Sequence, residues 1–356
     1  MPEPTDIPLL ALATAVPPHV VAQEEATEVS SRLFGRRMAA FARLRTVFSG
    51  SGIERRNIAM PVDWYTQPQG WPQRTEAFLT VATDLFEEAT RKALAQAGRH
   101  AEEIDCVVTV TSTGIATPGL EARVLERLGF RHDIRRVPVF GLGCAGGTSG
   151  LALAARLARA DPGSLVLLVV VELCSLSFRL DKLTKANIVA TALFGDGAAA
   201  VLLGGDGATA PPTGLLIGDG GEHTWPDTLR IMGWSVDPDG FGVIFDRDIP
   251  PFAEANLAGA LDGMMQAQGL SRARAGRLTF HPGGRKVITA VETALDLPDG
   301  ALDAERDVLR EQGNMSAPTV LFVLDRLHRQ GRTGPLLLTA LGPGFTASCV
   351  ALRPSA

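Results

Sequence analysis

Three residues of this 356-residue chain stand where chemistry could begin: Cys144, His281 and Asn314. Cys144 follows the strand-like run VPVFGLG and opens a helical segment through Gly146 and Gly147. A thiol above a helix N-terminus meets free N–H groups and the positive end of the helix dipole, and both favour a thiolate. The adjacent glycines let backbone N–H groups approach a substrate oxygen closely. A phosphate loop has similar features, but GLGCAGG lacks the GxGxxG register and the chain has no GK[ST]. His281 follows the apolar run LTF and precedes a Pro-Gly-Gly turn, where a strand end would present an imidazole. Asn314 follows Gly313 at the opening of the helical segment MSAPTVLFVLDRLHR. Each residue has a plain alternative: a small buried hydrophobe for the cysteine, a structural role for the histidine, a helix N-cap for the asparagine. Together, at three element boundaries, they form a set suited to an activated nucleophile.

The elements that must hold these residues are legible in outline. Arg74 to Gly98 has helical apolar spacing and a glycine stop. Residues 104–114, IDCVVTVTSTG, read as a buried strand, and GLEARVLERLG (119–129) as a short amphipathic helix. SLVLLVVVEL (164–173) reads as a strand covered on both faces. This alternation predicts an α/β protein. ALFGDGAAAVLL (192–203) and LTALGPGFTASCVAL (338–352) share a layout of small apolar strand, Gly-x-Gly turn and small apolar strand. Each lies downstream of a helix opened by Cys144 or Asn314. The chain therefore reads as two similar halves, 1–207 carrying the cysteine and 208–356 carrying the histidine and asparagine, with the join in GGDGATAPPTG (204–214).

Composition narrows the class. Hydrophobic residues make up 46% and charged residues 21%, enough for a sizeable core. A net charge of −5 and one tyrosine give no footprint for a nucleic-acid partner. The apolar runs are too short to span a bilayer, and the first residues lack the basic flank of a signal peptide. Cys106, Cys144, Cys174 and Cys349 lie far apart, with no histidine at metal-ligand spacing, so no metal is expected. They read as free thiols of a reducing cytoplasm.

GCAGG around Cys144, FHPGG around His281, GNMSAPTVLF around Asn314, LFGDGAAAV (193–201) and LGPGF (341–345) resemble, in order and spacing, the signature segments of type III polyketide synthases of the chalcone synthase kind. The similarity runs over nearly the whole chain. It implies a thiolase-like five-layer αβαβα fold, a homodimer, and a buried site reached by a tunnel for the coenzyme A arm. It also implies coenzyme A thioesters as substrates, an acyl-CoA starter and malonyl-CoA, with no further cofactor. IMGWSVDPDGFGVIFDRDIP (231–250) and VELCSLSFRLD (171–181) look closest to the bacterial branch that makes alkylresorcinols and alkylpyrones. The plant enzymes carry one more residue in the cysteine loop, and a second gatekeeping phenylalanine where Val243 aligns.

Carried over by motif, Cys144, His281 and Asn314 are the catalytic residues, and Phe194 is the gatekeeper between tunnel and cavity. Cys174, Ser177 and Val243 line an acyl tunnel. Gly283, Ser316, Gly342, Pro343 and Gly344 shape the cavity, and Thr117 reaches the partner subunit's cavity. Arg43, Arg45, Arg55, Arg56, Arg285 and Lys286 are the basic side chains available for the coenzyme A phosphates. Two rivals remain at this level. One is a β-ketoacyl synthase of the initiating type, which condenses once. The other is a catalytically silent scaffold of the same fold that binds acyl-CoA.

Overall fold

The computed structural model describes residues 6–204, 212–332 and 334–355. Thirteen strands form among them: β1 (Ile7–Ala15), β2 (His19–Ala22), β3 (Arg55–Ile58), β4 (Cys106–Thr111), β5 (Arg135–Phe140), β6 (Leu165–Leu173), β7 (Asp196–Gly204), β8 (Leu215–Thr224), β9 (Met232–Asp237), β10 (Gly240–Phe245), β11 (Arg277–Phe280), β12 (Leu336–Gly342) and β13 (Thr346–Pro354). Nine build one mixed sheet in the order β11-β12-β13-β8-β1-β7-β6-β4-β5. From the central β8–β1 pair outward the two sides repeat one pattern. On one side β7 and β6 are antiparallel and β6 and β4 parallel; on the other β13 and β12 are antiparallel and β12 and β11 parallel. The two halves are thus related by the hydrogen-bond pattern itself. The join placed between 207 and 208 lies outside the described residues.

Side-chain alternation sorts the sheet into layers. In β6, Leu165, Leu167, Val169 and Val171 pack with the long helix Trp71–Ala97, whereas Val166, Leu168 and Val170 pack with the helices Gly146–Ala160 and Thr319–Arg329. In β13, Val350 and Leu352 join that same central cluster, while Ala347, Cys349 and Ala351 face the helices Ile249–Ala267 and Arg285–Ala294. Period-two alternation therefore puts one helix layer outside each half and a shared pair of helices between them, giving five layers. Small residues make the outer contacts close: Ala198 and Ala200 of β7 meet Ala82 and Ala89 of the long helix. That helix ends at Gly98 in the left-handed conformation, as the sequence predicts, and begins three residues before the expected Arg74, with Pro72 in its first turn.

Three local expectations differ from the structure. Ala192 and Leu193 close the helix Lys185–Leu193 instead of forming a strand, and the expected GDG turn runs straight into β7 from Asp196, so only β7 matches the second half. The segment 119–129 forms two one-turn helices, Leu120–Arg123 and Leu125–Leu128. Asn314 lies five residues before the helix Thr319–Arg329, whose N-cap position is Pro318, so it is not a helix cap.

The central helices bring the two chemically special segments together. A Cβ on Gly147 would lie 2.3 Å from the Ala317 carbonyl oxygen, and one on Gly146 only 2.7 Å from Val110. No larger residue permits this approach, which seats the Cys144 turn against the Asn314 segment.

Candidate active site

Cys144 sits in a single 3-10 turn, Gly143–Ala145, directly before the helix Gly146–Ala160. Gly143 has φ +48, and a Cβ there would strike Pro343 at 2.5 Å. The cysteine turn is thus pressed onto the loop after β12, and Gly342 packs as tightly on Ala145 from the other side. The Gly143 N–H donates to Ser112 Oγ at 3.0 Å, and Ser112 Oγ donates to Glu172 at 2.7 Å. Glu172 also accepts from the Ser112 N–H and the Thr113 hydroxyl. Full burial pushes its carboxyl up to about 7, against those hydrogen bonds. Ser112 and Glu172 position the nucleophile, and the sequence reading missed both. The available signal was a lone acid at the end of an otherwise apolar strand.

His281 follows β11, with its N–H bonded to the Thr339 carbonyl at 2.8 Å. Its side chain is buried and, among the described residues, neither ring nitrogen has a hydrogen-bond partner. Asn314 Nδ2 donates to the Gly283 carbonyl at 3.1 Å, and Oδ1 accepts from the Ser316 N–H at 2.8 Å. One side chain therefore ties the turn after His281 to the backbone beside Cys144. The second Nδ2 hydrogen is left over. Ser316, at φ +58, stands beside Cys144, and its hydroxyl opposes the upward shift of that thiol.

Cys144, His281 and Asn314 line one cavity, together with Ser316, Gly283, Pro343, Phe194, Cys174 and Val243. The predicted catalytic and substrate residues thus converge, with four exceptions. Ser177 lines a neighbouring apolar side cavity, which shares only Cys174 and Phe194 with the catalytic one. Gly342 and Gly344 (φ +70) shape the loop around Pro343 without lining the cavity. Thr117 is exposed on the protein's own surface.

Among the basic residues, Arg43, Arg45, Arg55, Arg285 and Lys286 are exposed. Arg285 follows Gly283 by two residues and lies against the 50–52 loop. Arg56 departs from expectation. Only 4% exposed, it bonds the Gln23 side chain and the Thr191 carbonyl and lines the side cavity. Burial lowers its guanidinium to about 10. Neighbours on a strand face opposite ways, so in β3 Arg55 turns out and Arg56 in, away from any phosphate in solvent.

Burial works against charge at both groups. Burial pushes the Cys144 thiol up to about 12, aided by the Glu172 carboxylate and opposed by Ser316, and pushes the His281 imidazole down to about 3. Low dielectric disfavours a charge on either group alone, which favours a neutral thiol beside a neutral imidazole. Such an imidazole keeps one N–H to donate and one nitrogen free to take the thiol proton as a thioester arrives. Iodoacetamide should therefore alkylate Cys144 about tenfold faster per pH unit between pH 7 and 9, following the thiolate fraction below a raised pKa. A flat rate over that range, read by intact mass, would mean a preformed thiolate–imidazolium pair. No group of three or more His, Cys, Asp or Glu among the described residues is placed to hold a metal ion, and no helix of theirs is long and apolar enough to cross a membrane.

Comparison with known proteins agrees with this geometry. Residues 5–207 match the N-terminal domain of the chalcone and stilbene synthases, and 222–355 match their C-terminal domain. The chain is 41% identical over 347 residues to a 1,3,6,8-tetrahydroxynaphthalene synthase of Streptomyces peucetius subsp. caesius, covering 96% of this chain and 92% of the relative. It is 32% identical over 315 residues to a 3,5-dihydroxyphenylacetyl-CoA synthase of Streptomyces toyocaensis, covering 85% and 80%. The crystal structure of the 1,3,6,8-tetrahydroxynaphthalene synthase of Streptomyces coelicolor A3(2), a bacterial type III polyketide synthase, superposes with a TM-score of 0.91 at 27% identity, covering 98% of this chain and 99% of that one. With a cysteine, a histidine and an asparagine meeting in one buried cavity of a thiolase-like fold, the chain belongs to the chalcone and stilbene synthase family, the type III polyketide synthases.

Proposed function

We propose that this enzyme loads an acyl-CoA starter on Cys144, extends it by repeated decarboxylative condensation with malonyl-CoA, and closes the product to an alkylresorcinol or alkylpyrone. The observation that supports an acyl starter is the apolar side cavity that meets the catalytic cavity at Cys174 and Phe194. His281 takes the Cys144 proton as sulfur attacks the starter thioester, and the coenzyme A thiol leaves with that proton. Malonyl-CoA then loses CO₂, and its bond pair moves onto the thioester carbonyl. His281 and Asn314 donate hydrogen bonds to the oxygen that becomes negative. The resulting carbanion attacks the acyl group on Cys144, the Cys144 sulfur leaves, and the chain grows by two carbons.

A specific observation favours a second reading of the product. The relative at 41% identity is named for 1,3,6,8-tetrahydroxynaphthalene, a ten-carbon skeleton oxygenated at alternate positions, as five two-carbon units would give. Incubation with malonyl-CoA alone, and with a panel of acyl-CoAs, separates the two by mass spectrometry. An alkyl product that carries the starter supports the first; a tetrahydroxynaphthalene from malonyl-CoA alone supports the second. A single condensation product would instead indicate an initiating synthase, and an unreactive Cys144 a scaffold. Cys174→Phe, at the junction of the cavities, should shift preference toward shorter starters. Unchanged chain-length selectivity would remove the acyl-tunnel role of that wall.

A homodimer belongs to the same proposal. β5 is an edge strand of the sheet, and Phe140 at its end and Ile115 near Thr117 are 54% and 57% exposed. For the coenzyme A phosphates, Arg285 and Lys286 at the rim are the best placed of the basic residues, with Arg43, Arg45 and Arg55 as outer contributors.

A further inference from the structure

One wall of the catalytic cavity is not part of the main sheet. The β9–β10 hairpin pairs only with itself, and its base contributes Met232, Trp234, Val243 and Phe245 to the cavity lining. Its position depends on side-chain contacts, and these concentrate at its tip. Arg179, 1% exposed, donates to Asp237 at 2.9 Å and to both oxygens of Asp181 at 2.7 and 2.5 Å. Lys182 pairs with the other Asp237 oxygen at 2.9 Å, and Asp239 lies 3.6 Å from Arg179. The Trp71 indole N–H donates to the Asp237 carbonyl at 2.8 Å. Gly240, at φ +141, lets the turn settle on Arg74, whose Cδ would lie 3.2 Å from a Cβ there.

A run of ring contacts leads from this tip to the gatekeeper. Trp71 meets Phe241 at 5.1 Å, Phe241 meets Trp234 at 6.0 Å, and Trp234 meets Phe194 at 5.9 Å. Phe194 stands between the catalytic cavity, with about 60 Å³ of free volume, and the apolar side cavity, with about 80 Å³. An acyl group that extends from the catalytic cavity into the side cavity must pass Phe194, so the size of acyl group the site accepts depends on the Phe194–Trp234 partition.

We propose that the ion pair between Arg179 and Asp237 is a positioning latch that sets starter chain length by holding the hairpin, and with it Trp234, against Phe194. This rests on the reading that Cys144 carries an acyl starter. Latched, the partition narrows the passage between the two cavities and limits the length of acyl group that passes. Released, the hairpin yields, Phe194 loses its backing and the two cavities join. A buried cation bonded to two carboxylates, with a third 3.6 Å away, has a geometry that removing a single charge alters locally without emptying a core.

The test uses Asp237→Asn, which keeps an oxygen for the Asp239 N–H and removes the charge, and Lys182→Met as a milder second variant. Both are checked for a native melt. Acylation of Cys144 is timed by intact mass with acetyl-CoA and with decanoyl-CoA, and malonyl-CoA decarboxylation is followed separately. The decanoyl-to-acetyl ratio of loading rates should rise by about threefold or more in Asp237→Asn, and in the same direction in Lys182→Met, with decarboxylation changed by less than about twofold. General destabilisation would lower both loading rates alike and leave the ratio unmoved. An unchanged ratio in folded variants overturns the latch, as does a wild-type enzyme that loads neither thioester. Normal loading without malonyl-CoA decarboxylation overturns the polyketide reading and leaves the ratio to decide the latch.

Discussion

Cys144→Ala should abolish the mass increase that marks starter loading and lower product formation by about three orders of magnitude or more. The expectation follows from geometry. The thiol lies at the start of the helix Gly146–Ala160, and its turn is held between Pro343 and the Ser112–Glu172 pair. No other cysteine replaces it: Cys174 shares the cavity, but full burial holds its thiol well above the usual range, with Glu172 adding to the shift. Alanine fits without strain, so the variant should fold as the wild type does. Decarboxylation of malonyl-CoA should persist, because the groups assigned to that step are His281 and Asn314. Product formed at an ordinary rate by the alanine variant would rule out the covalent intermediate.

His281→Ala and Asn314→Ala should each slow malonyl-CoA decarboxylation by about 10²–10³, the loss of one aimed donor worth about 3–4 kcal/mol. KM should stay within about threefold, since the donors matter only once the thioester oxygen becomes negative. The two losses should not add in full, because Asn314 also bonds Gly283, two residues after His281. Asn314→Ala leaves the buried Ser316 N–H without its partner, a cost of about 1–3 kcal/mol in stability, whereas the unpartnered imidazole of His281 can be removed without that penalty. Comparing the melting of the two variants separates the catalytic loss from the structural one. A raised KM with an unchanged rate would remove both residues from the decarboxylation step.

Much of the fold was legible because it follows from local rules. SLVLLVVVEL could only be a strand with both faces covered, and Gly98 ends the long helix in the conformation glycine favours. What failed depended on distant neighbours. Asn314 resembles a helix cap in sequence, yet its amide bridges Gly283 and Ser316 because the central helices bring those segments together. Arg55 and Arg56 look alike in sequence, and only the pairing of β2 with β3 decides which one faces the interior. Glu172 was visible as a single acid closing an apolar strand. Its partners, Ser112 and Thr113, lie sixty residues away in the chain.

The sequence by itself determined the set of chemical groups, the alternation that layers the sheet, and the glycines that let the two halves approach. Those properties depend on residue type and spacing alone. The tertiary structure decided which groups share a cavity, that Phe194 and Cys174 border a second apolar space, and that the β9–β10 hairpin forms one wall of the catalytic cavity. It also decided how strongly burial opposes charge in the site. The desolvation that works against charge on Cys144 and His281 is a sum over atoms from many separate segments, and no short stretch of sequence contains that sum.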